Sequence, residues 1–122
     1  VQKVGDRCNK KQQCGPEGGP TCEPFTVVEF IALVRQSALT LTDSGGLQEE
    51  TTVMGIPCMT LRPNTERPIT IELGSNELVY NDADKIRDLG LQALAGNWKS
   101  HAAPENWDGR TAERIVEILA NP

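Results

Sequence analysis

Residues 41–50 read LTDSGGLQEE, and this stretch decides the fold because a β-prone segment passes through Ser-Gly-Gly directly into a helical one. Such a turn leaves several backbone N–H groups without partners around one small space, with no Cβ to block close approach. Unpaired donors at the positive end of a helix dipole are typical of a phosphate site. A tight turn between strand and helix that binds no ligand is the alternative, and the stretch alone does not separate the two.

A carboxylate follows within the same predicted helix. Glu50 lies one helical turn after Gly46 and is expected to project from the start of that helix. It can accept two hydrogen bonds from the vicinal hydroxyls of a ribose while phosphates lie on the glycine turn. This geometry indicates a nucleotide, although a Glu near a helix start is also favourable without a ligand.

Outward from this stretch, short β-prone segments alternate with helical ones. We predict strands at 38–43, 58–61 and 78–80, and helices at 27–34, 47–54, 68–73, 83–95 and from 109 onwards. Pro24 is placed in the first turn of the first helix, Asp82 and Asp108 are predicted as N-caps, and Gly96 as a helix stop.

The alternation predicts the α/β class, with a partial Rossmann-like parallel sheet of about three strands flanked by helices. A sheet this small leaves an unpaired edge, and such edges are usually covered or paired. A missing half of the domain or a second copy of the chain would cover it, so the edge is a candidate surface for self-association.

The first 22 residues differ in composition from the rest. They hold only two aliphatic side chains and an excess of Lys and Arg, which predicts a flexible basic arm at 1–22 followed by a folded domain at 23–122. Cys8, Cys14 and Cys22 are spaced too widely for a CxxC metal clip, so we predict reduced thiols and no metal site.

Charge and hydropathy exclude two further classes of partner. The net charge of −5 argues against a general nucleic-acid binder, which needs clustered Lys and Arg. A membrane span needs about 20 consecutive apolar residues, and no stretch approaches that length. We therefore predict a cytoplasmic protein with neither a nucleic-acid nor a membrane partner.

A second stretch, LRPNTERP at 61–68, follows the next predicted strand and should open onto the same edge of the sheet. Arg62 and Arg67 can each form forked hydrogen bonds to a phosphate or a carboxylate. Thr65, as an N-cap ahead of Pro68, is most simply a helix start.

Together, LTDSGGLQEE (41–50), GIPCMTLRPNTERP (55–68) and WDGRTAERIVEIL (107–119) resemble the C-terminal third of the UDP-N-acetylglucosamine 2-epimerases. The likeness runs from about Pro24 to Leu119, in order and with the family's spacing, and does not include the arm. It implies the C-terminal half-domain of a two-domain GT-B fold. The family interconverts UDP-N-acetylglucosamine and UDP-N-acetylmannosamine for cell-surface polysaccharides, and some members hydrolyse the UDP-sugar instead. The resemblance implies no cofactor.

The resemblance also implies roles for single residues. Ser44 and Gly45 would bind the diphosphate and Gly46 would keep the turn open, while Glu50 would hold the ribose hydroxyls. Arg67 would face the diphosphate and sugar. One further position is assigned less directly: Phe30 falls where the family places an aromatic ring against the uracil, although a phenylalanine that faces the core from a helix would give the same sequence pattern.

The family's catalytic groups are not implied for this chain. Its reaction resembles elimination of UDP followed by re-addition, with carboxylates from the N-terminal domain and a histidine that precedes this segment. His101, the only histidine, is expected to be an exposed loop residue, and Trp98 and Trp107 surface anchors or covers of a core edge. We therefore predict no catalytic residue among these positions.

Three hypotheses follow from the sequence. The first is a fragment of an epimerase that binds UDP or a UDP-sugar and is not catalytic alone. The second is a stand-alone nucleotide-binding or dimerisation module derived from that family. The third is an enzyme whose missing groups come from a partner chain.

Overall fold

The computed structural model describes residues 25–121. The chain divides into two compact units with the boundary between Gln36 and Ser37. Among the described residues, the first unit holds one helix, and the second holds the sheet and the remaining helices. The predicted arm at 1–22 lies outside the described residues, and its boundary at residue 22 stays a prediction.

The helix of the first unit is α1 (Val27–Arg35). Its start is a capping box, because the Thr26 hydroxyl accepts from the backbone N–H of Glu29 and the Glu29 carboxylate accepts from the backbone N–H of Thr26 at 3.0 Å. The helix thus begins at Val27, and the predicted role of Pro24 falls outside the described residues.

The second unit is built on a parallel sheet of three short strands in the order β1 (Thr40–Thr42), β2 (Cys58–Thr60) and β3 (Asn76–Leu78). This arrangement confirms the predicted α/β class and strand number. Each strand is three residues long. The third starts two residues before the predicted segment because Asn76, a polar residue, is fully buried and hydrogen-bonded in the core.

Four helices complete this unit: α2 (Gly45–Met54), α3 (Ile69–Glu72), α4 (Ala83–Leu94) and α5 (Thr111–Ala120). Helix α2 begins two residues earlier than predicted, with Ser44 as its N-cap. The predicted cap of α4 is confirmed, since the Asp82 carboxylate accepts from the N–H of Lys85 at 3.0 Å. Gly96, with φ of 73°, follows the end of α4 in the left-handed conformation that favours glycine.

Two predicted caps are wrong. Asp108 does not cap α5, which follows Arg110; its carboxylate instead accepts from the N–H of Arg110 and forms an ion pair with Arg114. The hydrogen bond from Arg114 holds the pKa of Asp108 below its ordinary value. Thr65 does not cap α3, because that helix starts after Pro68 and has no side-chain cap.

The core of the second unit is unusually polar. Cys58, Met59 and Val79 are its buried apolar centre, and burial raises the pKa of the Cys58 thiol. Around them lie buried side chains that carry hydroxyl or amide groups: Thr42, Gln48, Thr51, Thr52, Thr60, Thr70, Ser75 and Asn76. Most of these groups are hydrogen-bonded inside the fold, which restricts how neighbouring loops can lie, whereas Gln48 Nε2 and Thr52 Oγ1 have no partner among residues 25–121.

The loop before α5 packs against this core. The Trp98 indole N–H donates to the carbonyl of Ser75 at 2.8 Å, so this tryptophan covers a core edge, one of the two readings of the sequence. His101 is exposed, as predicted. Over residues 25–121, the helices are too short or too polar for any of them to span a bilayer.

Candidate functional site

The glycine turn connects β1 to α2 at the carboxyl end of the sheet. The Ser44 N–H donates to the Thr42 hydroxyl at 3.0 Å, and the Ser44 hydroxyl accepts from the N–H of Leu47 at 3.4 Å. Within residues 25–121, the N–H groups of Gly45 and Gly46 have no acceptor. Two unpaired donors therefore lie at the positive end of the α2 dipole.

The turn is open on the side of Gly46. A Cβ built on Gly46 would meet nothing nearer than the Ser44 hydroxyl at 4.0 Å, whereas one on Gly45 would reach the Glu66 carboxylate at 3.4 Å. Gly45 thus marks where the turn approaches the loop after β2, and Gly46 faces free space. The turn therefore has open space beside Gly46, which a phosphate bound at this turn would need.

Glu50 is exposed on α2, and its carboxylate forms no hydrogen bond or ion pair with the described residues. Its neighbour Glu49 instead forms an ion pair with Arg67, with 2.8 Å between Oε1 and Nε. The neighbouring carboxylates Glu49 and Glu50 of α2 therefore differ in their contacts. One holds a cation of the next loop, and the other remains available to an external donor.

The loop after β2 brings Arg67 beside α2, as expected from parallel strands whose ends share one edge. Its side chain is 46% exposed and can still reach a ligand while Glu49 holds one part of it. Arg62, the other candidate, forms an exposed ion pair with Glu66 at 3.4 Å. Ser44, Gly45 and Gly46 thus lie at the start of α2, Glu50 lies further along the same helix, and Arg67 lies in the loop beside it.

Phe30 is the remaining predicted site residue. It lies on α1 in the first unit and is 39% exposed. Its predicted place against a uracil ring stays a prediction.

Sequence reasoning missed two residues behind this edge. Gln48 and Asn76 are both fully buried, and the Asn76 amide donates to the Gln48 side-chain oxygen at 3.3 Å. The same oxygen accepts from the Thr65 hydroxyl at 2.6 Å. A polar residue in an amphipathic pattern is normally assigned to the surface, so only the unusual run of polar residues at 48–52 could have signalled this buried network.

Comparison with known proteins gives a consistent family. The family model described as UDP-N-acetylglucosamine 2-epimerase matches residues 2–120. A UDP-N-acetylglucosamine 2-epimerase of Methanocaldococcus jannaschii is 43% identical over 99 residues, which are 80% of this chain and 26% of that protein. The family match takes in residues 2–22, so leaving the arm outside the family likeness was wrong.

Solved structures agree with the sequence relatives. The M. jannaschii UDP-GlcNAc 2-epimerase in complex with UDP-GlcNAc and UDP has a TM-score of 0.60 at 40% identity, over 82% of this chain and 27% of that one. The Neisseria meningitidis UDP-GlcNAc 2-epimerase bound to UDP-GlcNAc has a TM-score of 0.70 at 30% identity, over 83% and 28%. These matches confirm the predicted partial Rossmann-like domain of a GT-B fold.

Proposed function

The chain belongs to the UDP-N-acetylglucosamine 2-epimerase family, and on that premise we propose that these 122 residues are a UDP-binding part of such a protein. The diphosphate binds on the N–H groups of Gly45 and Gly46, with the Ser44 hydroxyl beside them. Glu50 holds the ribose hydroxyls, and Arg67 contacts the diphosphate from the neighbouring loop.

One observation carries this proposal. Two N–H groups without acceptors lie at the start of α2, on an open side of the turn, and an exposed carboxylate without a partner among residues 25–121 follows on the same helix. Unpaired donors and an unpaired acceptor at this spacing complement a phosphate joined to a diol. The ligands named for the two solved relatives, UDP-GlcNAc and UDP, have this chemistry.

The same proposal assigns no turnover to these residues alone. The chain spans 26–28% of the relatives named above, so most of their length has no counterpart in it. The groups that would move a proton at the sugar are proposed to lie in that remaining length. Interconversion of UDP-GlcNAc and UDP-ManNAc is therefore proposed only for a complete protein.

Calorimetric titration with UDP tests the binding proposal. We expect saturable heat with one site per chain, and no heat at millimolar UDP from a folded chain would reject it. Incubation with UDP-GlcNAc, followed by chromatographic separation of the mannosamine epimer, tests the second part. Turnover that survives rigorous purification would contradict the assignment of catalysis to other segments.

Glu50→Gln tests the ribose contact. We expect this change to weaken UDP binding by about 1–3 kcal/mol, because charged hydrogen bonds to two hydroxyls are lost. Glu117→Gln, on the exposed surface of α5, is the matched control and should leave the affinity unchanged. Equal affinities for the two variants and the unaltered chain would make Glu50 an ordinary charge near a helix start.

A further inference from the structure

Arg67 is held through its backbone from both sides. Its N–H donates to the Thr65 hydroxyl at 3.0 Å, and its carbonyl accepts from the Thr70 hydroxyl at 2.7 Å. Arg67 precedes α3, so no helical hydrogen bond of its own N–H fixes its position. The Thr65 hydroxyl restrains the N–H instead, and the Arg67 carbonyl accepts from the backbone N–H of Thr70 at 3.0 Å as well as from its hydroxyl.

Each threonine is bonded in turn to a buried amide. The Thr65 hydroxyl donates to the Gln48 side-chain oxygen at 2.6 Å, and the Asn76 side-chain N–H₂ donates to the Thr70 hydroxyl at 3.2 Å. The Asn76 amide also donates to the same Gln48 oxygen at 3.3 Å. These bonds form a closed ring through Arg67, Thr65, Gln48, Asn76 and Thr70, which we call the amide ring.

The amide ring is anchored in the most protected part of the fold. Gln48 and Asn76 are 0% exposed, and the Asn76 side-chain oxygen accepts from Thr60 of β2 at 2.7 Å. Bonds to these two side chains are shielded from water, whereas the bond from the Arg67 N–H to Thr65 is exposed, so the fold fixes the inner half of the ring. Gln48 also belongs to α2, the helix whose first turn carries the unpaired glycine donors. The ring therefore joins the two sides of the site through the core.

We propose that the amide ring sets the position of Arg67 relative to the glycine turn, which makes Thr65 and Gln48 positioning residues for the diphosphate contact. This inference rests on the proposed binding of UDP. Neither side chain needs to touch the ligand, because each acts through the backbone of Arg67. The side chain of Arg67 is oriented further by Glu49, which is adjacent to Gln48 on α2.

The alternative is that the amide ring stabilises the fold without influencing the ligand. Comparing the affinity for UDP with the affinity for uridine distinguishes a positioning role from a purely structural one. Arg67 is placed on the diphosphate, so a displaced Arg67 weakens binding of UDP and leaves uridine unaffected. A general loss of structure weakens both. NMR titrations with UDP and with uridine therefore provide a readout that a purely structural role would not move, and they resolve millimolar affinities.

The variants are chosen around Thr65, which lies at the partly buried end of the ring. Thr65→Val removes the hydroxyl at nearly constant volume, Thr65→Ala is made alongside it, and Thr65→Ser retains the hydroxyl. Thr51→Val is the matched control, because the Thr51 hydroxyl is buried in α2, bonds the carbonyls of Leu47 and Gln48 and the Cys58 thiol, and takes part in none of the bonds of the ring. Circular dichroism shows which variants are folded. The test needs only one folded variant without the hydroxyl, either Thr65→Val or Thr65→Ala.

We expect loss of the Thr65 hydroxyl to weaken UDP binding about three- to tenfold, the effect of one net hydrogen bond, with uridine unchanged. Thr65→Ser should restore the affinity for UDP, and Thr51→Val should leave the ratio of the two affinities unchanged. In an Arg67→Ala background, Thr65→Val should have no further effect, because the two residues act on one contact.

Three results would overturn the amide-ring proposal while UDP binding itself stands: unchanged UDP affinity in folded Thr65 variants, equal weakening of UDP and uridine, or an undiminished effect in the Arg67→Ala background. A folded, unaltered chain that binds no UDP would overturn the proposed function, and this inference with it. Failure of UDP binding is measured on the unaltered chain alone, so it is distinguishable from failure of the amide-ring proposal.

Discussion

The site edge and the final helix belong to the same unit but are held in place by opposite means. At the site edge, buried hydroxyls and amides tie α2, β3 and the loop after β2 to one another. Helix α5 has no buried residue, and Ile115, Val116, Ile118 and Leu119 are each more than half exposed. The first region is specified from within by polar contacts, whereas the second presents an apolar stripe that no described residue covers.

The site edge is thus held by contacts within the 122 residues, whereas the apolar face of α5 has no covering contact among the described residues. The hydrogen bonds of a polar core position nearby loops closely at the cost of tolerance to change, although Gln48 Nε2 and Thr52 Oγ1 are buried without a partner among residues 25–121. An exposed apolar stripe contributes little to the stability of the unit that carries it. Changes of the same kind should therefore have unequal effects in the two regions.

The largest contrast is expected from two identical asparagine changes. Asn76→Ala removes the acceptor of Thr60 and the donor to Gln48 and Thr70, so we expect a loss of about 2–4 kcal/mol in the free energy of unfolding. Asn121→Ala removes one exposed bond to the carbonyl of Glu117 and should cost less than about 0.5 kcal/mol. Urea unfolding measures both, and similar losses would refute the contrast.

Two glycines give a smaller contrast of the same kind. A Cβ on Gly74 would lie 2.5 Å from the Thr52 hydroxyl and from the carbonyl of Thr70, so Gly74→Ala should cost about 2–3 kcal/mol through overpacking. Gly109 has φ of 79° and nothing within 4 Å of an added Cβ. Gly109→Ala should therefore cost about 1 kcal/mol of backbone strain alone. Thermal unfolding measures both losses of stability. A smaller loss for Gly74→Ala than for Gly109→Ala would contradict tight packing of the polar core.

A weaker effect is expected at the surface contacts that precede α5. The hydrogen bond from Arg114 lowers the pKa of Asp108 in the folded chain, so its contribution to stability is present above the carboxyl's unfolded pKa. That contribution is lost as the pH falls through the lowered, folded pKa. Asp108→Asn should therefore lower the melting temperature slightly at neutral pH and not in strong acid. A difference that persisted in acid would assign the effect to packing rather than to charge.

The smallest effect is expected on the apolar stripe itself. Leu119 is 75% exposed, so Leu119→Ser should change the free energy of unfolding by no more than about 0.5 kcal/mol. Val79, at 2% exposed, is the matched site in the core, and Val79→Ala should cost about 2 kcal/mol. A large loss from Leu119→Ser, measured by urea unfolding at several protein concentrations, would show that the stripe is already covered. Self-association through the sheet edge likewise stays a prediction.

The sequence predicted the fold wherever local signals and burial agree. The strand–glycine–helix order around Ser44, the alternation of strands and helices, and the Asp82 cap were all readable because backbone preferences alone determine them. The start of β3 was not, since Asn76 is polar by composition and buried only through partners that lie far away in sequence. Asp108 and Thr65 were assigned as caps because their side chains suit that role, but Arg114 and Gln48 compete for the same atoms in the folded chain.

The residues of the candidate site were predictable from the sequence, but the tertiary contacts that hold them in place were not. Motif residues Ser44, Gly45, Glu50 and Arg67 were selected by their chemistry and position. The structure places the first three at the N-cap or within α2 and Arg67 in the loop beside that helix, and their binding roles stay predictions. The pairing of Arg67 with Glu49 and the amide ring behind it depend on tertiary contacts, which periodicity does not encode. The placement of Phe30 is a relation between the two units and stays a prediction.

The amide resonances of Gly45 and Gly46 test the central claim most directly. In ¹⁵N–¹H spectra of the folded chain, titration with UDP should shift both resonances saturably, with one affinity, and titration with uridine should leave them nearly unmoved. That result would place the diphosphate on the two unpaired N–H groups at the start of α2. Saturable UDP binding that leaves both glycine resonances unchanged would contradict the account.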